Sequence, residues 1–147
     1  MPLSPVGHPP AGWALARLGD WATRIGSGAT PTGGESVCWA ARTGVALIRS
    51  QNVFDRRFDE AGLAFVCDEH ACELSNATVQ AYDVLLNITG DGMTLGRACL
   101  APARLLPACA NQPVSIIRLD RPVCLPEYLL CLLTHPAVKN PPEKLCR

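Results

Sequence analysis

Histidine and lysine are scarce in this sequence, with three and two copies in 147 residues. Imidazole-based metal or nucleophile chemistry therefore has few starting points: His8, His70 and His135 stand far apart in the chain. No two of the eight cysteines have the C-x2-C spacing of a zinc knuckle. Cys67 and Cys72 flank His70 and form the best metal-ligating set on offer. Most of the others lie in apolar runs (98–100 and 128–133) and are read as small core residues, so neither a metal nor a cofactor is expected. Nothing points to an oxidising compartment, and disulfides are not expected either. No apolar stretch approaches the ~20 residues of a membrane helix. The first ten residues carry no Lys or Arg and no apolar run, so they do not form a secretory signal. The expectation is a cytoplasmic protein with no membrane partner.

Excess charge of one sign is also lacking: 13 basic side chains balance 13 acidic ones. The distribution says more than the sum. Residues 51–83 hold two arginines against seven carboxylates, while both flanks are basic. Eleven of the basic residues are arginine, whose planar fork suits phosphates and guanine edges. High-GC coding would favour arginine as well. Hydrophobic residues make up 48%, enough for one packed domain of this length. The expected organisation is a disordered N-terminus over 1–12, a domain over 13–139 and a short tail over 140–147.

Hydrophobic patterning predicts strands at 14–18, 45–49, 63–66, 84–89, 97–100 and 114–119. A short helix is expected from an Asp20 cap to Ile25, another from an Asp68 cap, and a third over Glu127 to Leu133 with Pro126 at its first turn. In the third, residues 128, 129, 132 and 133 would form the apolar face. Residues 26–34 (GSGATPTGG) read as a loop and 54–60 as a polar turn. Connections this short do not make regular βαβ crossovers. The fold class is therefore α+β, with a largely antiparallel or irregular mixed sheet and a few short helices.

Five short motifs occur in an order that is specific as a set. They are Trp13…Arg17-Leu18-Gly19-Asp20 with Ile25-Gly26-Ser27-Gly28 and Thr30-Pro31; Leu47-Ile48-Arg49-Ser50-Gln51-Asn52-Val53; Asp83-Val84-Leu85-Leu86-Asn87-Ile88-Thr89-Gly90 with Gly96-Arg97; Asn111-Gln112; and Tyr128-Leu129-Leu130. Over roughly 13–139 the chain resembles a target-recognition domain of the specificity subunit of type I restriction–modification systems. That resemblance implies a non-catalytic module that reads half of a bipartite site in double-stranded DNA. Its implied partners are a modification methyltransferase subunit and, through it, an endonuclease/translocase subunit. A family member would continue its helix past Lys139, whereas here Asn140-Pro141-Pro142 follows, so the expectation is a truncated chain without the spacer helix. Pro113 also stands where the family often has histidine. The competing expectation is a non-functional remnant or a protein-interaction fragment.

Under that resemblance the candidate DNA contacts are Arg24, Ser27, Thr30, Thr32, Arg49, Gln51, Asn52, Arg97 and Gln112. Ser27, Thr30 and Thr32 would donate to phosphates from the glycine-rich loop, unless that loop is a plain connector. The loop lacks the Gly-Lys-Ser/Thr of a nucleotide-binding loop, which excludes ATP. Arg49, Gln51 and Asn52 have the chemistry for base edges, although a local structural turn is the favoured reading of Arg49 and Asn52. Asn87 is expected to be satisfied internally, which leaves Arg97 as the better contact of that motif. Asn140-Pro141-Pro142 resembles an adenine-methyltransferase motif, but Glu143 follows where an aromatic must stack on the base.

Overall fold

A computed structural model describes residues 8–37, 39, 43–90 and 92–139. The tail at 140–147, most of the expected disordered N-terminus and Asp91 lie outside the described residues.

The apolar runs form ten short strands in two four-stranded sheets and a hairpin. The first sheet has the order β1 (Ala22–Ser27), β10 (Val114–Leu119), β7 (Val84–Asn87), β8 (Ala98–Leu100). The second has the order β5 (Ala64–Val66), β2 (Val45–Ile48), β9 (Ala108–Ala110), β6 (Thr78–Val79). The hairpin pairs β3 (Val53–Phe54) with β4 (Arg57–Phe58). Every pairing is antiparallel except β2 with β9. The expected α+β class with a mostly antiparallel sheet is therefore what the chain adopts.

Side-chain alternation along the strands makes the layers. Ile48, Leu85, Ala108, Ala110, Val114 and Ile116 point between the sheets and form the central core. Leu47, Val66 and Cys109 point outward beneath α2 (Asp68–Glu73). Val84, Ile117 and Leu119 point the other way, against Leu18 and Trp21 of α1 (Leu18–Trp21) and Leu129 and Leu133 of α3 (Pro126–Leu133). A fourth helical turn, α4 (Pro136–Lys139), closes the described chain. The result is four layers: helix, sheet, sheet, helix.

Some elements differ from expectation. Residues 14–18 form no strand; they are largely exposed and have no pairing partner. The helix expected to reach Ile25 stops at Trp21, and Arg17 rather than Asp20 is its N-cap residue. Ala22–Ser27 becomes an edge strand because β10 takes it as a partner, which outweighs weak local helix propensity. Asp68 is the first helical residue of α2, not its cap, which is Cys67. The buried face of α3 carries Pro126, Leu129 and Leu130, while Tyr128 and Leu132 face outward. Trp13 lies against the outward Tyr128, with ring centroids 5.9 Å apart.

The six described cysteines are free thiols. Among the described residues no three of His, Cys, Asp or Glu group as metal ligands, and no helix is long and apolar enough to cross a membrane. Cys99 sits in the central core, where burial pushes its thiol from the ordinary 9.0 up to about 12. A backbone hydrogen bond with Phe54 opposes that shift, and the Asp55 charge adds to it. A pKa raised on folding means that the folded state favours the thiol. This contribution is complete below about pH 9 and is lost as pH climbs toward 12. Urea unfolding across this range should show stability falling more steeply in the parent chain than in Cys99→Ala. Parallel curves would contradict the assignment.

Candidate nucleic-acid interface

The two sheets exchange chain at one end of the molecule. β1 ends there: the Gly28 amide donates to Val114 of the first sheet (2.8 Å), and the Ala29 amide donates to Ala110 of the second (3.0 Å). The chain crosses back at Asn111–Pro113, between β9 and β10. The crossing requires glycine at 28, since a Cβ there would stand 2.1 Å from the Ala110 carbonyl oxygen.

Four of the five motif segments close on one another around this joint. The Asn111 amide donates to Ile48 at the end of β2 (2.8 Å), and the Ile88 amide beyond β7 donates to Pro113 (3.0 Å). Asn87 Nδ2 donates to the carbonyls of Ser50 (3.0 Å) and Thr94 (3.1 Å). Its Oδ1 is buried and has no hydrogen-bond partner among the described residues, so the internal satisfaction expected of Asn87 is only half realised. Four loop segments (28–34, 49–52, 88–90 with 92–97, and 111–113) thus share one end of the double sheet.

The candidate residues divide into four groups. Ser27 and Gln112 are exposed, and Thr30 donates to Asn111 Oδ1 (2.9 Å), which also accepts from the Gln112 amide (2.9 Å). Arg49, Gln51 and Asn52 brace the neighbouring turn at 59–62. Asn52 is wholly buried: its Oδ1 accepts from the Arg49 amide (3.0 Å), and its Nδ2 donates to the Asp59 (2.9 Å) and Ala61 (3.3 Å) carbonyls. With no exposed face, Asn52 cannot meet a base edge in this conformation. Arg49 and Gln51 both donate to Gly62, at 2.6 and 3.4 Å. Thr32 turns toward α2, and Arg24 toward the 3-10 turn Ser75–Ala77 that follows it. The Arg24 guanidinium donates to the Asn76 carbonyl, and the Thr32 amide donates to Glu73 (3.4 Å). A Thr32 hydrogen bond is the largest cause holding the Glu73 carboxyl below its ordinary value, so Thr32 has an anion for a neighbour.

Arg97 has the richest surroundings. Its guanidinium lies 4.6 Å from the centre of the Phe54 ring, and Arg57 lies at the same distance from that ring. Residues 54–60, expected as a polar turn, hold the β3–β4 hairpin, with Arg56 at positive φ in its turn. Sequence reasoning missed Phe54 and Arg57. The signal was present in Phe54-Asp55-Arg56-Arg57-Phe58, a short turn between two aromatics with two arginines inside. The β7–β8 loop beside them exposes Ile88, Leu95 and Met93, the last at 74%.

No protein-family model matches the sequence, and no curated protein matches it. Solved structures do match. The HsdS subunit from Thermoanaerobacter tengcongensis aligns with 88% of this chain at a TM-score of 0.63 and 19% identity. The chain has an HsdS-type fold. A second structure, concerned with complex assembly and conformational transition of the type I R-M system, aligns with 90% of the chain at a TM-score of 0.60 and 17% identity. The chain spans 29% and 32% of those two proteins, under a third of either. The motif segments that meet at the joint therefore lie in a fold that HsdS subunits share.

Proposed function

We propose that this chain is a DNA target-recognition module of a type I restriction–modification complex, with no catalytic centre of its own. It would direct methylation and restriction by holding a methyltransferase subunit, and through it an endonuclease/translocase subunit, on a chosen duplex. Its main support is the convergence of separate motif segments at one end of an HsdS-type fold. Loops carried on a rigid double sheet can present Ser27, Gln112 and Arg97 together to a groove.

A second reading has its own observation. The chain is neutral overall, and many of its described arginines are engaged within the fold: Arg118 with Asp83, Arg104 with Glu60, Arg57 with Asp59, Arg56 with Thr134. That pattern favours an interaction fragment over a strong DNA binder. Fluorescence anisotropy separates the two readings. A recognition module binds an enriched duplex more tightly than a random one. Its affinity drops at least tenfold between ~50 and ~200 mM salt and rises when a methyltransferase subunit is added. Absence of binding at both salt concentrations, with and without that subunit, would leave the interaction fragment.

A further inference from the structure

We propose that Arg57, Phe54 and Arg97 form a clamp for the phosphodiester backbone of DNA, a deepening that rests on the recognition reading above. One ring carries two guanidiniums, each 4.6 Å from its centre. A guanidinium stacked on a ring uses its face, while its N–H donors lie around its edge. Stacking therefore fixes the position of two cations without spending the donors that phosphate oxygens take. Arg57 also has a carboxylate within reach, but that Asp59 contact is long, at 3.4 Å, and the Arg57 side chain is 61% exposed. An exposed pair of this kind is weak and exchanges readily for a phosphate.

The surroundings are basic although the whole chain is neutral. The Arg56 amide donates to Ala98 (2.8 Å), the Ala98 amide donates to Asp55 Oδ1 (3.2 Å), and Lys139 pairs with the same carboxylate. Three basic side chains (Arg57, Arg97 and Lys139) thus gather at a hairpin with two carboxylates, Asp55 and Asp59, and a fourth, Arg56, leaves the same hairpin toward Thr134 Oγ1 (2.8 Å). Both carboxylates are already occupied, Asp55 by Lys139 and Asp59 by Arg57 and the Ala61 amide. The excess positive charge sits at the base of the β7–β8 loop, beside the loop end where Asn87 and Ser50 meet. Phe54 acts through the arginines and is a positioning residue.

The test is anisotropy of the full chain on two unrelated labelled duplexes over a salt series, with circular dichroism to verify folding. Arg57→Gln and Arg97→Gln are each expected to flatten the slope of log affinity against log salt by about 1, equally on both duplexes. Phe54→Leu keeps both charges but frees them, so affinity should fall about three- to tenfold. Phe54→Tyr keeps the ring and should bind like the parent. Variants with the parent's affinity and slope would overturn the clamp while leaving the recognition reading intact. So would a loss confined to one duplex, which would mean base reading rather than phosphate contact. A parent chain that binds neither duplex, with or without a methyltransferase subunit, would overturn both.

Discussion

Arg118→Ala should be among the most damaging substitutions in this protein, costing about 3 kcal/mol of stability. Arg118 lies on β10 and grips Asp83 with two donors: Nε meets Oδ1 at 2.9 Å and a terminal nitrogen meets Oδ2 at 2.7 Å. Asp83 is 2% exposed, while the arginine side chain keeps 23%. The aspartate pair is the main cause raising the Arg118 pKa, so the guanidinium stays charged throughout the accessible range. Arg118 also donates to the Thr78 carbonyl on β6, and so ties the first sheet to the second. Removing it leaves a buried carboxylate whose remaining hydrogen bond among the described residues is from the Gln80 amide (2.7 Å). The desolvation already suffered by Asp83 then goes uncompensated, which is why breaking such a pair costs more than making it gains. Urea unfolding of Arg118→Ala, Asp83→Asn and the double variant measures this directly. The double variant should be less destabilised than the sum of the two singles, and strict additivity would show that the two side chains are not coupled.

Gly28→Ala should cost a similar amount, about 3 kcal/mol, for a steric reason. The new Cβ would lie 2.1 Å from the Ala110 carbonyl oxygen and 2.4 Å from both Ala110 C and the Asn111 oxygen. All three are backbone atoms at the crossing between sheets, so no side chain can swing aside to relieve the overlap. Gly26, two residues earlier on β1, has open space around its Cβ position. Gly26→Ala is therefore the control and should stay within about 0.5 kcal/mol of the parent. If DNA is read at the joint, Gly28→Ala should also lose affinity under conditions where it remains folded. Equal thermal midpoints for the two variants would contradict the close approach.

The resemblance stated from five short motifs and the fold of the chain point the same way, yet the motifs hold different positions in it. Leu47-Ile48-Arg49-Ser50-Gln51-Asn52 was legible as strand then turn because the apolar run Val45-Ala46-Leu47-Ile48 leads directly into polar residues. Which of those polar side chains remain exposed was not legible. Asn52 is spent on the Arg49 amide and on two carbonyls of a turn seven and nine residues later, and no local pattern announces that second partner. Arg97 was legible as a basic residue at a strand start. Its stacking partner comes from a hairpin forty residues upstream that read as a polar turn, because two-residue strands are too short to show a period. The acidic balance of residues 51–83 was likewise misleading about local charge. Folding brings Arg97 and Lys139 beside the hairpin and makes that corner of the acidic segment basic.

By itself, then, the sequence determined the α+β class, most of the longer strands, the helix that opens at Pro126, and an order of motifs resembling a recognition domain. These follow from side-chain period and local backbone preference, which act over a few residues. Only the tertiary structure decided that residues 22–27 pair with β10, that the chain changes sheets at Gly28, and that Phe54 gathers two arginines. Such outcomes depend on which distant strand supplies the missing hydrogen bonds and which distant ring or carboxylate meets a charge. Strand pairing and charge pairing satisfy groups that local structure leaves open, and the partners are chosen by packing of the whole chain.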